Sequence, residues 1–288
     1  MNKISPRDDV LISICFSNLH MASDNFSKLK ELRSDIEAKF RFCEIILLID
    51  AEFEEDFLKI TNEIPDIRLF SMSSSQDYYA QRVILAEEAI GDVVLITDLE
   101  EIKYINIFEM VNCALEEKVT VIAENSVRNI VYTPFSKILA RLGKSAGFRV
   151  DLQNLHTMAL LRPHLNYIIA HSTPELALRF PPYDAMLPLK FYSTNKKVPF
   201  RNDTDSFKRR INLMQKLLIH LAPVLLKLVI ISSGLLAATG GLYSIYTLAV
   251  WAFVSQIASG WLTISAILSL SATFMGISIL GLSLGLLH

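Results

Sequence analysis

The most telling absence in this 288-residue chain is charge at its end: residues 228–288 contain no Asp, Glu, Lys or Arg. All 28 basic and 30 acidic residues lie at or before Lys227. That excludes a disordered chain, which needs high charge and little apolar content, and argues against a wholly soluble one. An excess of either sign is also missing. With a net charge of -2 the chain has no basic footprint for nucleic acid. Cysteine is scarce and odd in number: Cys15, Cys43 and Cys113 sit in or beside apolar runs. They lack the close spacing of a metal cluster and read as buried thiols in a reducing compartment. The first nine residues are polar and carry no apolar signal-peptide core, so the amino-terminal part is expected to stay in the cytosol. No Walker loop, Gly-rich dinucleotide fingerprint, Ser-His-Asp order or internal repeat is present.

Where charge stops, apolar length begins. Residues 228–253 and 261–287 form two apolar runs, each longer than the ~20 residues a helix needs to cross a ~30 Å hydrocarbon core. The uncharged connector 254–260 makes them a helical hairpin with a tight turn. Lys208, Arg209, Arg210, Lys216 and Lys227 precede the first run. Positive-inside logic therefore places the basic side, the amino-terminal domain and the C-terminus in the cytoplasm of a multi-pass inner-membrane protein. In the second run Ser265, Ser269, Thr273, Gly281 and Gly285 recur at four-residue intervals, broken by Ile277. Small residues so spaced let helices approach closely, and 281–285 is a GxxxG. Packing against the first span is preferred to packing against a second copy of the chain as a homo-oligomer, and chance spacing is the bland alternative. Ahead of the spans, Phe207, Ile211, Met214, Leu217 and Leu218 repeat with helical spacing among the cations. Residues 206–227 read as an interfacial amphipathic helix, its cations meeting anionic membrane lipid or gripping a phosphorylated lipid.

Upstream, β-branched runs recur at 10–16, 44–50, 67–72, 92–98 and 119–124. Helical patterns alternate with them: one capped by Asp24, with Phe26, Leu29, Leu32, Ile36 and Phe40 on one face, then 54–62, 78–90 and 106–117. Such alternation predicts a largely parallel α/β sheet, in which ligands bind beyond the carboxyl ends of the strands. Those ends hold Asn18, Asp50 and Asp98-Leu99-Glu100-Glu101. Carboxylates converging there could hold Mg2+ or Mn2+ with a diphosphate, because these hard ions take oxygen ligands. Equally, each could cap the helix that follows.

The stretches Val10-Leu-Ile-Ser-Ile-Cys-Phe-Ser-Asn18, Glu44-Ile-Ile-Leu-Leu-Ile-Asp50, Gly91-Asp-Val-Val-Leu-Ile-Thr-Asp98, Met158-Ala-Leu-Leu-Arg162 and Gly260-Trp261 follow in that order. In order and spacing, over nearly its whole length, the chain resembles the polyprenyl-phosphate glycosyltransferases of glycosyltransferase family 2, relatives of dolichyl-phosphate mannose synthase. The resemblance implies a GT-A-like, mostly parallel α/β domain over 1–205, a juxtamembrane amphipathic helix over 206–227 and a two-helix transmembrane hairpin over 228–288. It also implies an enzyme that transfers a sugar from a nucleotide-sugar donor to polyprenyl (undecaprenyl) phosphate at the cytoplasmic face, for cell-surface glycan synthesis or modification. By the same resemblance Asn18, Asp50 and Asp98 would contact the nucleotide. Asp98 and Glu100 would hold Mg2+ or Mn2+, and Lys208, Arg209 and Arg210 would hold the lipid phosphate.

The family pattern is also altered at several points. Cys15 stands where a Pro ends the first strand, and the Asp-Asp-Gly-Ser turn is Ile49-Asp50-Ala51-Glu52. Ser75-Gln76-Asp77 replaces Asn-x-Gly. An ungapped match sets Asp-x-Asp against Thr97-Asp98-Leu99, whereas a shift of one residue gives Asp98-Leu99-Glu100. Glu101-Ile102-Lys103-Tyr104 replaces Gln-x-Pro-Pro, Thr157 stands at an acidic position, and the closing segment 281–286 has lost its charges. Two readings follow. The chain is a divergent enzyme, or a catalytically inactive relative serving as a membrane-bound binding or assembly partner.

Other residues offer paired readings. Arg128, Arg141, Lys144 and Arg149 could meet phosphate through guanidinium or ammonium groups, or form a solvated surface. His156, His164 and His171 are spaced irregularly and read as local hydrogen-bonding groups rather than a helical metal site. Tyr78 and Tyr79 either stack on a base or pack the third helix on the sheet, with the packing role preferred. Pro181, Pro182 and Pro188 mark an irregular edge of the domain.

Overall fold

The computed structural model describes residues 6–17, 23–54, 66–72, 77–125, 133–151, 153–194, 198, 204–254 and 258–287. At the centre of the first unit lies β1 (Arg7–Phe16), with β2 (Phe40–Asp50) and β4 (Val93–Thr97) parallel on either side. β3 (Ile67–Met72) continues the sheet beyond β2. Past β4 comes β6 (Asn154–Leu161), antiparallel to β4 and to β5 (Thr120–Glu124), and β7 (Leu189–Ser193) runs parallel to β5 at the edge. The order is β3-β2-β1-β4-β6-β5-β7. Among the described strands only β6 runs against the common direction.

The central strands form where apolar runs can be buried on both faces, whereas the edge strands β3 and β7 are half-buried or exposed. Every residue of Val93–Thr97 is buried, as expected of a central parallel strand covered on both sides. Alternation along β1 sends Ile12, Ile14 and Phe16 into one core layer. There they join Leu29, Leu32 and Ile36 of α1 (Ser23–Glu37) and Met110, Val111 and Ala114 of α3 (Ile107–Glu117). Cys15 points the other way, its thiol 3.6 Å from the Leu85 carbonyl of α2 (Tyr78–Glu88). Asn106 caps α3 by accepting the Glu109 N–H at 3.4 Å.

The architecture is the mostly parallel α/β sheet expected, followed by two apolar helices. Two strands, β6 and β7, and the helices α4 (Thr133–Ser145), α5 (Arg162–Ile169) and α6 (Pro174–Arg179) add to the elements read from the pattern. The expected helix over 54–62 lies, beyond residue 54, outside the described residues, and so do the side chains of Asp24 and Phe26. Cys15 and Cys43 are buried, Cys113 is half-buried, and all three are free thiols.

The chain divides into two compact units, Met1–Lys216 and Leu217–His288. The amphipathic segment and the first apolar run are one continuous helix, α7 (Thr204–Phe253), whose turns up to Lys216 belong to the first unit. Pro223 lies inside it and withholds one helical N–H. Within the second unit α7 packs on α8 (Trp261–Leu287), and both helices are long and apolar enough to cross a membrane. Gly260, at φ 85°, makes the turn that opens α8. The seam between the two helices uses Gly276, where an added Cβ would come within 2.5 Å of the Ala237 nitrogen, and Gly240, against Thr273. Tyr243 donates to Ser265 at 3.3 Å. Gly281 and Gly285 lie off that seam, with no atom within 4 Å of an added Cβ.

Candidate active site at the carboxyl end of the sheet

The reversed strand creates the site. Val93 pairs with Leu161 and Ile96 with Met158. Continuing that register sets Thr97 opposite Thr157 and Asp98 opposite His156. The first residues of β6 therefore meet the last residues of β4, and the Thr97 and Thr157 hydroxyls lie 2.6 Å apart. After Asp98 the chain turns, with the Glu101 N–H donating to the Asp98 carbonyl at 2.9 Å. This brings the Glu101 side chain back toward β6. Its Oε1 accepts the His156 N–H at 3.0 Å. Its Oε2 accepts the Thr157 N–H at 2.8 Å and the Thr157 hydroxyl at 2.6 Å. Resemblance expects an acid at 157; the threonine there instead holds a carboxylate supplied by the turn after β4.

Asp98 is fixed from the opposite side. The Tyr78 hydroxyl lies 2.9 and 2.8 Å from its two carboxylate oxygens, and Ser17 donates to Oδ1 at 3.1 Å. Arg82, one turn along α2 from Tyr78, is 3% exposed. It donates to the Tyr78 oxygen at 3.0 Å and to the His156 carbonyl, and lies 3.8 Å from Asp98 Oδ1. The Tyr78 and His156 rings meet edge to face at 5.4 Å.

Electrostatics follow from this crowding. Burial and the Asp98 charge push the Tyr78 hydroxyl well above its ordinary range, so it remains a donor. Burial opposes the Arg82 charge, but Tyr78 and Asp98 more than offset it. Burial, then the Asp98 charge, raises the Glu101 carboxyl above the ordinary glutamate range, against the hydrogen bonds from Thr157 and His156.

Asp98, Glu101 and His156 each present a ligand atom, all within 4.8 Å of one another. Two carboxylates and an imidazole form a hard-to-borderline donor set that fits Mn2+ or Mg2+. A carboxylate offers about four lone-pair sites, so the hydrogen bonds to Asp98 and Glu101 leave coordination capacity. Zinc-type sulfur ligation is not offered by these three residues.

The residues expected from sequence are placed unevenly. Asp98 stands at the centre of the cluster. Glu100 is exposed, and its neighbour Glu101 is the acid that turns inward. Asn18 and Arg128 lie outside the described residues; Asp50 ends β2 opposite Met72, its side chain outside them. Lys208 is exposed, the Arg210 side chain is undescribed, and Arg209 lies over the Tyr78 ring with its guanidinium carbon 4.3 Å from the centroid. Arg141 and Lys144 are exposed, whereas Arg149 lies over Tyr183 at 5.0 Å. His171 makes the local contact expected, with Thr173, whereas His164 meets Thr120 of β5, 44 residues away in the chain. Tyr78 and Tyr79 are buried at the start of α2, the packing role preferred for them.

Sequence reasoning missed Arg82; it placed Glu101 among the strand-end carboxylates but preferred Glu100, and it read His156 and Tyr78 as hydrogen-bonding and packing groups rather than as members of this cluster. One available signal was Arg82 on the apolar face of a helix, since a buried guanidinium requires a buried acid nearby.

No protein-family model and no curated protein matches the chain. Among solved structures, it is similar to glucosyl-3-phosphoglycerate synthase from Mycobacterium tuberculosis, in complex with Mn2+, uridine diphosphate and phosphoglyceric acid. That likeness has a TM-score of 0.48 and 12% identity, and covers 74% of this chain and 79% of that one. It is also similar to a mannosyltransferase from Pyrobaculum calidifontis in complex with GDP-Man and Mn2+, at TM-score 0.40 and 15% identity, over 95% and 85% of the chains. The 4-diphosphocytidyl-2C-methyl-D-erythritol synthase of Anaerococcus prevotii gives 0.44 and 12%, over 71% and 96%. Resemblance at this level assigns no activity, and the functional reading rests on the residues of the site.

Proposed function

We propose that this chain is a membrane-anchored glycosyltransferase that moves a sugar from a nucleotide-sugar donor to polyprenyl phosphate. It would work at the cytoplasmic face of the inner membrane, in the making or modification of cell-surface glycans. The observation that carries the reading is the meeting of Asp98, Glu101 and His156 at the carboxyl end of β4, where ligands bind in sheets of this kind. The sequence resemblance supplies the substrate classes, and the two apolar helices supply the anchor.

In this reading Asp98 holds Mg2+ or Mn2+ together with Glu101 and His156, and Glu100 is left on the surface. When bound, the ion stabilises negative charge on the departing diphosphate. Asn18 and Asp50 contact the nucleotide, and Lys208, Arg209 and Arg210 serve the lipid phosphate. An oxygen of the acceptor phosphate attacks the anomeric carbon. The bond from that carbon to the donor diphosphate breaks, and the nucleoside diphosphate leaves with the electron pair. The attacking group is already anionic, so no general base is required. Tyr78, Ser17 and Arg82 keep the Asp98 carboxylate in one orientation, which is the kind of preorganisation that favours charge development.

The test is transfer of radiolabelled sugar into a lipid-extractable product by membranes carrying the full chain, with and without Mn2+. Metal-dependent transfer that disappears in Asp98→Ala and falls in Glu101→Gln is expected. Full activity in both variants would overturn the assignment. One observation favours a second reading, that of a binding or assembly partner without turnover: Asp98 and Glu101 are already anchored by protein donors. It predicts that calorimetry detects no metal-dependent binding of any nucleotide sugar.

A further inference from the structure

Two residues in the first turns of α7, Arg209 and Lys216, lie seven positions apart and so occupy one helix face two turns apart. Both reach the start of α2. Lys216 Nζ is 2.6 Å from Asp77 Oδ2 and 2.9 Å from Glu175 Oε2. Arg209 covers the ring of Tyr78, the next residue in the chain. Asp77 is the N-cap residue of α2 and has the extended backbone of a capping residue, φ -62° and ψ 135°. Yet its side chain makes no capping hydrogen bond. An Asp at this position ordinarily satisfies a free N–H of the first turn, worth about 1 kcal/mol. Here the carboxylate is turned to Lys216 instead.

These contacts stand one bond from the acidic cluster. Tyr78 carries Arg209 on its ring and Asp98 on its hydroxyl. Arg82, one turn later on the same helix, reaches both Tyr78 and the His156 carbonyl. The Lys216 contacts are only partly exposed, with side chains at 26%, 17% and 29% for Lys216, Asp77 and Glu175, so solvent screens them less than a surface pair.

We propose that the first turns of α7 form a latch on the site, with Arg209 and Lys216 as positioning residues that hold Asp77 and Tyr78 so that the Tyr78 hydroxyl stays on Asp98. The turns of α7 up to Lys216 are thereby a working part of the α/β unit to which they belong. This rests on the metal-site reading only for its effect on the ion; the contact itself stands apart from it.

The experiment uses the full chain in detergent micelles and two measurements, hydrogen exchange by mass spectrometry and Mn2+ titration. Lys216→Met combined with Arg209→Gln is compared with the conservative Lys216→Arg and with Lys190→Met, which removes a distant surface pair with Glu117. The double variant should speed exchange several-fold in peptides covering 77–88 and 98–105 and weaken Mn2+ binding several-fold. Lys216→Arg and Lys190→Met should leave both near wild type. Faster exchange confined to 204–216, with 77–105 unchanged, would overturn the latch. So would unchanged Mn2+ affinity in a double variant whose wild-type parent binds the ion. A wild type that binds no Mn2+ while 77–105 lose protection refutes the metal site and upholds the latch.

Discussion

Two buried polar clusters sit at opposite ends of this sheet, and they handle charge differently. At the amino side Glu44 pairs across β1 and β2 with Ser13. It accepts the Ile90 N–H at 2.8 Å and faces Arg68 at 3.2 Å. The Gly91 N–H donates to Ser13 at 2.7 Å, and a Cβ at Gly91 would lie 2.6 Å from the Ser13 nitrogen. Arg68 also meets Glu88 at 3.2 Å at its exposed end, and with a loop that only glycine permits these contacts make a closed joint. At the carboxyl side two acids, Asp98 and Glu101, lie beside an imidazole with one buried cation, Arg82, 3.8 Å from Asp98. Each cluster sets two acids on one arginine, but Glu88 is 44% exposed and screened by water whereas Glu101 is buried. A protein ordinarily neutralises buried charge, so the carboxyl-side cluster is the place where a cation from solution can contribute.

The sharpest way to break this comparison is to remove the buried cation. Arg82→Met leaves Asp98 and Glu101 facing each other without a guanidinium. Breaking a buried pair by deleting one partner costs about 3–5 kcal/mol. Thermal unfolding of the purified chain should show that loss, with added Mn2+ recovering part of it by binding the folded state. A loss under ~1 kcal/mol would mean the carboxyl-side cluster is not held by Arg82.

Next in size is the contrast between two acids. Asp98→Ala should lower transfer at least ~100-fold, since stabilising the leaving group's charge is worth several kcal/mol and ~1.4 kcal/mol is tenfold. Glu44→Ala should leave activity per folded molecule intact and instead cost about 1–3 kcal/mol of stability, from buried donors left unsatisfied. If Glu44→Ala also abolished transfer in well-folded protein, the division between a structural end and a chemical end would fail.

How far the sequence reveals this division depends on which strand is considered. β1, β2, β4, β5 and the hairpin are legible because parallel strands with buried centres and charge-free helices leave apolar runs. Asp98 is legible because it follows such a run. The edge strand β3 is legible from its apolar Ile67, Leu69 and Phe70. β6 is not: Asn154–Leu161 mixes buried polar and apolar residues, and nothing in it announces that it runs backwards. Yet that reversal is what carries His156 and Thr157 to Asp98. That the GxxxG at 281–285 lies off the hairpin seam is illegible for a related reason. Spacing names residues that could pack closely, but the rotation of each helix decides that Gly276 and Gly240 form the hairpin seam.

A smaller effect concerns pH. Burial and the Asp98 charge hold the Glu101 carboxyl above the ordinary glutamate range. A raised carboxyl is protonated in the folded chain at pH values where the unfolded chain has already lost the proton. Its contribution to stability is therefore full below the unfolded pKa and is lost as pH rises through the folded one. Metal binding needs the ionised form, so Mn2+ affinity should climb over that same interval. Glu101→Gln should flatten the climb, and a wild-type affinity independent of pH there would remove Glu101 from the site.

The smallest expected effect separates two adjacent acids. Glu100 and Glu101 differ in sequence by one place, and a one-residue shift of the family's acidic motif picks Glu100. The turn after β4 separates them: the Glu101 N–H closes it onto the Asp98 carbonyl, and the Glu101 side chain turns inward while Glu100 faces solvent. Surface substitutions typically change stability by no more than about 0.5 kcal/mol, and Glu100→Ala should do no more, with Mn2+ affinity within about twofold of wild type on that scale. Calorimetric titration of both alanine variants decides the matter. A loss at Glu100 with Glu101 silent would return the metal to the turn's outer face and leave the inner carboxylate as a strut for Thr157.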